Sequence, residues 1–231
     1  MPTLTFIGHS CCLIESEAGT VLFDPFISGN NLASLKVENL PKISAVFLTH
    51  GHNDHVGDAI QIAKQHDCPI VATYELASYC QSKGTKSVPM NIGGTYKDEW
   101  GQIKLVQAFH SSSYTEENGN VVYTGMPTGM IYTVEGKTVY HLGDTALFSD
   151  LGTIGLRHSK IEVALVPIGD HFTMGIEDAV EAVRLIAPRL SVPVHYNTFP
   201  PIEQDPSEFK KKCKQIDAEV KVLKPGGTLE Y

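Results

Sequence analysis

Apolar and polar positions alternate from the start of the chain. Thr3-Leu4-Thr5-Phe6-Ile7, Cys12-Leu13-Ile14-Glu15 and Thr20-Val21-Leu22-Phe23 read as short strands, and Gly8-His9-Ser10 and Glu17-Ala18-Gly19 punctuate them as turns. Together they predict an antiparallel meander. Residues 44–48 are continuously apolar, the pattern of a more buried strand. The spacing becomes helical over 56–65, with Val56, Ile60 and Ala63 on one side. A strand at 69–73 and a helix at 74–82 follow. Further strands are expected at 103–109, 121–124, 130–134 and 138–142, with Glu135-Gly136-Lys137 as a hairpin turn. The last third predicts a buried strand at 161–167 and an amphipathic helix at 177–186, with Ala179, Val180, Val183 and Ile186 on its apolar face. After it come a strand at 190–195, a basic helix at 206–216 and a last long strand at 220–223. A β-rich stretch followed by an α/β stretch thus occurs twice, without a literal repeat or a linker. The economical architecture is one domain over 1–231: two sheets face to face, helices outside, and loops at one sheet edge gathered into a site.

Composition narrows the function classes. At 42% hydrophobic residues the chain can fill a sizeable core, and a formal charge of −8 argues against nucleic acid or an anionic membrane as partner. Met1-Pro2-Thr3-Leu4 does not read as a signal peptide, and no apolar run is long enough to span a bilayer. Five cysteines, two of them adjacent (Cys11 and Cys12), include no Cys-x-x-Cys pair, which fits reduced thiols in a cytoplasmic protein.

The chemistry is concentrated in Thr49-His50-Gly51-His52-Asn53-Asp54-His55. Imidazole and carboxylate are the groups that hold borderline divalent metals. On a strand-to-helix turn, His50 and His52 can face one centre while Asp54 and His55 face a neighbouring one, so the spacing suits two ions better than one. His110, Asp144 and His195 each follow a predicted strand, where a rigid scaffold presents side chains to a cleft.

This set resembles the metallo-β-lactamase superfamily, and the resemblance runs nearly the whole chain, including Asp24 after an apolar strand. It implies a four-layer αββα sandwich with a dinuclear site at its edge. Carried over residue by residue, His50, His52 and His110 bind the first ion, Asp54, His55 and His195 the second, and Asp144 bridges them. Zinc or manganese is the expected pair; iron, cobalt and nickel suit the same donors. Gly8-His9-Ser10 and the run from Pro167 to Gly175 look like a small group of metal-dependent hydrolases. That group is similar to the ascorbate-6-phosphate lactonase and to the phospholipase D that cleaves N-acyl phosphatidylethanolamines.

The resemblance implies that solvent held between the ions, acidified towards neutrality, attacks an ester, lactone or phosphodiester. Asp54 would also orient that solvent and pass a proton. His171 is a candidate proton donor or oxyanion stabiliser, with orientation of a ligand as its alternative. His9, Asp24, Thr145, Asp58 and Asp170 are expected to support the site, His141 to be structural, and His66 and His158 to lie on the surface. Residues 111–114 and 197–201 would line the cleft mouth, where polar loops with single aromatics suit a small polar substrate. Two further readings stand beside hydrolysis. One is a non-catalytic metal or ligand sensor on the same fold. The other is a di-iron oxidoreductase, which would need a flavin domain. A small-molecule substrate and a possible homo-oligomer complete the expectations.

Overall fold

A computed structural model describes residues 1–158 and 160–231. The chain opens with β1 (Thr3–Gly8), β2 (Cys11–Ser16), β3 (Gly19–Phe23) and β4 (Ala45–Phe47). The helices α1 (Asn53–Val56) and α2 (Ala59–His66), the strand β5 (Ile70–Thr73), α3 (Tyr74–Ser82) and β6 (Ser87–Met90) complete its first half. The second half runs through β7 (Thr95–Asp98), β8 (Gly101–Gln107), β9 (Ser113–Thr115), β10 (Val121–Tyr123), β11 (Thr128–Val134) and β12 (Lys137–His141). It ends with α4 (Leu151–Arg157), β13 (Ile161–Pro167), α5 (Ile176–Ile186), β14 (Leu190–Val194), α6 (Pro206–Lys214) and β15 (Thr228–Glu230).

Two sheets result, a seven-stranded one ordered β15-β1-β2-β3-β4-β5-β6 and a six-stranded one ordered β14-β13-β12-β11-β8-β7, beside a small β9–β10 ladder. Each begins antiparallel and finishes parallel, as the repeated β-rich and α/β stretches predict. Alternate strand residues point inward to a shared core that includes Phe23, Phe47, Tyr132, Leu105 and Val192. The outer faces pack separately. Leu22, Val46 and Ile70 meet α2 and α3 through Ile62 and Leu76, while Ala164 and Val166 meet α5 and α6 through Ala179, Val183 and Phe209. These are the four layers α, β, β, α. The carboxyl ends of β4, β8, β12 and β14 lead directly into the segments that carry His50, His110, Asp144 and His195.

Local rules explain the well-placed elements. Glu135 and Gly136 both have positive φ (51° and 74°), and Val134 pairs with Lys137, so the hairpin turn is the two-residue Glu135-Gly136. The Asp205 side chain accepts from Ser207 N and Pro206 occupies the first turn, which starts α6 where the sequence places it.

The differences have physical causes. The helix expected over 56–65 is cut into α1 and α2, because Gly57 (φ 41°) turns the chain and Asp58 turns away from the histidines. The Asp58 Oδ2 accepts from Ile27 N (3.0 Å) and Ser28 N (2.8 Å), tying α2 to the loop after β3. The strand expected at 220–223 reduces to one bridge between Ser191 and Val220, and the seven-stranded sheet is instead edged by β15, which pairs Leu229 with Leu4. The strands β6 and β7 and the helix α4 are additional elements; β6 and β7 lie at sheet edges, where exposure weakens hydrophobic periodicity.

A methyl group at Gly57 would strike Pro25 O and come within 2.7 Å of Phe26 Cα. We expect Gly57→Ala to cost about 2–4 kcal/mol in urea unfolding, from left-handed strain plus overpacking. Because Gly57 follows α1, the same substitution should weaken divalent-ion binding at Asp54 and His55.

Candidate metal centre

Asp144 lies at the middle of the cluster. Its Oδ2 is 3.9 Å from His50 Nε2, 3.6 Å from His110 Nε2, 3.4 Å from His55 Nε2 and 3.0 Å from His195 Nε2. On one side, His50 Nε2 and His110 Nε2 approach His52 Nδ1 at 3.0 and 3.3 Å. On the other, Asp54 Oδ2 is 4.0 Å from His55 Nε2 and 3.8 Å from His195 Nε2. Two donor groups therefore flank one carboxylate, and all seven residues singled out in the sequence as ligands converge.

Backbone shape delivers them. Asp24 (φ 42°) and His195 (φ 54°) are left-handed, as is Gly143 (φ 64°), where a Cβ would lie 2.6 Å from Thr128 O. Such conformations persist where the surrounding structure holds them and often accompany functional sites.

Asp24 and Thr49 orient two of the imidazoles. The fully buried Asp24 accepts from Thr49 N (2.8 Å), Thr49 Oγ1 (2.7 Å) and His55 Nδ1 (2.8 Å). Thr49 Oγ1 spends its one proton on Asp24, so at 3.0 Å from His50 Nδ1 it can only accept. Both His50 and His55 thus keep a proton on Nδ1, so that in the neutral, ligating form of each ring the lone pair is on Nε2, the atom that faces Asp144. The sequence reading placed Asp24 in support; it did not find Thr49, whose role depends on the order of partners around one hydroxyl. Thr145 holds the segment bearing His110, with Oγ1 accepting from Phe109 N at 3.0 Å.

His9 is buried and bridges three segments: Nε2 to Asp54 Oδ2 (3.1 Å), Nδ1 to Thr198 Oγ1 (2.9 Å), and its carbonyl accepts from His195 N (2.8 Å). His141 is structural, bonding Ser10 O and Gly143 N. His66 is buried rather than superficial, since its Nδ1 accepts from Ile43 N at 3.2 Å; His158 is half-buried. Asp170 is exposed. His171 is also exposed, and the cleft is lined by its neighbour Phe172 instead. Ser111 lines the cleft, Ser112 is buried against Gly51 N, and Tyr114 packs on Tyr79 away from it.

Burial and mutual attraction set the electrostatics of the cluster. Burial works to raise the Asp144 and Asp54 carboxyls, but His195 and His55 outweigh it and hold both well below the usual carboxylate range. Burial likewise opposes charge on His55 and His195, yet Asp144 prevails, raising His55 and moving His195 up to about 9. Burial keeps His50, His52 and His110 low, and with the nearby His195 takes His9 down to about 4. Buried carboxylates are thus balanced here by imidazolium protons. His55 Nε2 and Asp144 Oδ1 are buried without hydrogen-bond partners. Unpartnered donor atoms of this kind in a convergent His/Asp set fit divalent ions well.

Known proteins share the family and the fold. Residues 19–196 match the family model of the β-lactamase superfamily domain. A UPF0173 metal-dependent hydrolase of Anoxybacillus flavithermus is 50% identical over 227 residues, covering 98% of this chain and 99% of that protein. Among solved structures, Igni18, a metallo hydrolase of the hyperthermophilic archaeon Ignicoccus hospitalis, superposes with a TM-score of 0.89 at 38% identity, covering 100% of this chain and 99% of that one. The metallo-β-lactamase fold protein YhfI of Bacillus subtilis, 16% identical, shares the fold with a TM-score of 0.76 over 100% of both chains. With its four layers, its convergent histidines and these relatives, the chain belongs to the metallo-β-lactamase superfamily as one of its UPF0173 metal-dependent hydrolases.

Proposed function

We propose that the protein is a dinuclear hydrolase of small esters, lactones or phosphodiesters. His50, His52 and His110 hold one divalent ion, Asp54, His55 and His195 the other, and Asp144 reaches both. The observation that carries this reading is Asp144 Oδ2, which lies within 3.9 Å of the Nε2 atoms of four histidines drawn from both groups. Zinc or manganese in such a site supplies Lewis acidity and brings water towards ionisation near neutral pH. Asp54 is among the ligand candidates that line the cleft, its side chain 30% exposed against 3% for Asp144. As a ligand carboxylate it can accept a hydrogen bond from attacking water, orient it, and pass its proton to the leaving oxygen. His9 and Thr198 keep that carboxylate aimed.

Ion count and proton release test the reading together. Elemental analysis of reconstituted protein should find two ions per chain. Ligation needs neutral imidazole, and in the metal-free chain His55 and His195 carry protons at pH 7. Loading should therefore release protons, and affinity should rise with pH as His55 and His195, both raised by Asp144, lose theirs. Calorimetry in buffers of different ionisation enthalpy reads the protons directly. One ion per chain would contradict the dinuclear assignment. Two ions without turnover of any ester, lactone or phosphodiester would favour the sensor.

A further inference from the structure

The cleft over the cluster has a volume of about 310 Å³. Of the residues that line it, His52, Asp54, His110, Asp144 and His195 belong to the cluster. That leaves Ser111 and Phe172 to meet the rest of a substrate, one small hydroxyl and one aromatic ring, both uncharged. Phe172 is 54% exposed, so its ring is open to a ligand in the cleft it lines.

The loop carrying Phe172 is fixed. Ile168 N bonds Val194 O (3.1 Å), Asp170 N bonds Met174 O (3.0 Å), and Met174 N bonds Thr145 O (3.1 Å). Asp170 takes φ 68° to close the turn. Thr145 follows Asp144 and also holds Phe109 N, so the turn that bears the ring is anchored to the same short segment that carries the central carboxylate. An aromatic ring on so constrained a turn is preorganised as an apolar wall at the mouth of the site.

We propose that Phe172 determines specificity and that the substrate is an uncharged ester or lactone carrying an apolar group beside its reacting carbonyl. A phosphate away from the scissile bond would meet a phenyl ring and a serine, neither of which compensates a dianion. The sequence reading drew attention to 111–114 and 197–201 and to a polar substrate. In the folded chain only Ser111 of those segments lines the cleft, and Phe172 changes its character. The reaction remains hydrolysis: water oxygen bonds the acyl carbon, the acyl C–O bond breaks, and a water proton passes to the leaving oxygen. This proposal rests on the hydrolase reading above.

The test uses γ-lactones bearing methyl, propyl or pentyl groups, beside one bearing a phosphomethyl group, with ion-loaded wild type, Phe172→Ala and Phe172→Leu. In wild type, kcat/KM should rise about 2- to 4-fold per methylene, mostly through KM, by partial burial of each added group. The rise should vanish in Phe172→Ala, persist in part in Phe172→Leu, and the phosphomethyl lactone should be the poorest substrate. Ion content by elemental analysis shows that each variant retains its site. Titration calorimetry with the matching γ-lactams reads binding without turnover. Chain-length dependence of lactam binding that is lost in Phe172→Ala supports the proposal even if no lactone is hydrolysed, a result that would count against the hydrolase reading alone. An unchanged slope in Phe172→Ala, or a preference for the phosphomethyl compound, overturns it.

Discussion

Asp144→Ala should lower hydrolysis by at least about 10³-fold, since the interaction of ions with a developing anion supplies several kcal/mol of transition-state stabilisation. Elemental analysis should find both ions depleted. The expectation follows from position. Oδ2 lies between His50 and His110 on one side and His55 and His195 on the other, so one side chain serves two groups of donors. His110→Ala removes a donor from one group only, and His110 is also less enclosed, its side chain 13% exposed against 3% for Asp144. That variant should keep close to one ion per chain and a residual rate. The contrast between the two is more informative than either loss. Two independent mononuclear sites would respond to Asp144→Ala by losing one ion, as they would to His110→Ala. Equal ion content in the two variants would therefore remove the bridging role from Asp144 and the dinuclear reading with it.

The legibility of this site in the sequence followed the range of the interactions. His50, His52, Asp54 and His55 stand in one short run whose chemistry is visible without a fold, and His110, Asp144 and His195 each follow a strand whose periodicity is plain. Their convergence needed only the rule that loops at the carboxyl ends of strands share a cleft. The same rule could not sort one strand-end residue from another in detail. His171 and Phe172 are adjacent in the sequence, yet the tight turn after β13 exposes the imidazole and puts the phenyl ring against the cleft. His66 reads as a surface residue in a helical tail, and its burial comes from Ile43, which lies before β4. Asp58, at the start of a helix, reads as a support for a histidine; its partners, Ile27 N and Ser28 N, follow β3. The fold shows the same limit. Buried β13 matches its prediction residue for residue, whereas the edge strand β15 depends on pairing with β1 at the other end of the chain. Contacts between segments distant in sequence were what the hydrophobic pattern could not supply.

Asp24→Ala should do more damage than its distance from the cleft suggests. The side chain is fully buried and accepts three hydrogen bonds, so its removal strands Thr49 N, Thr49 Oγ1 and His55 Nδ1. Breaking a buried polar assembly of this kind costs about 3–5 kcal/mol, which urea unfolding would register. The effect on the ions comes through proton placement. Without Asp24, Thr49 Oγ1 is free to donate to His50 Nδ1, which moves the His50 proton to Nε2, the atom that faces Asp144. His55 loses the acceptor that keeps its proton on Nδ1. One substitution thus compromises a donor on each side of Asp144, and affinity for both ions should fall about 10- to 100-fold, the usual cost of removing a partner behind a metal-ligating histidine. Asp24→Asn separates this effect from unfolding. The amide nearly preserves the shape, and its carbonyl, in place of Oδ1, can still accept from Thr49 N, so stability should fall less than in the alanine variant. Its NH₂ group, in place of Oδ2, faces both His55 Nδ1 (2.8 Å) and Thr49 Oγ1 (2.7 Å) and can only donate to each, which forces the His55 proton onto Nε2 and frees the Thr49 hydroxyl to donate to His50. A stable Asp24→Asn protein that binds ions as poorly as Asp24→Ala would establish tautomer control by Asp24. If the asparagine variant instead bound both ions with wild-type affinity, Asp24 would be a packing residue and the orientation of His50 and His55 would have to come from the backbone alone.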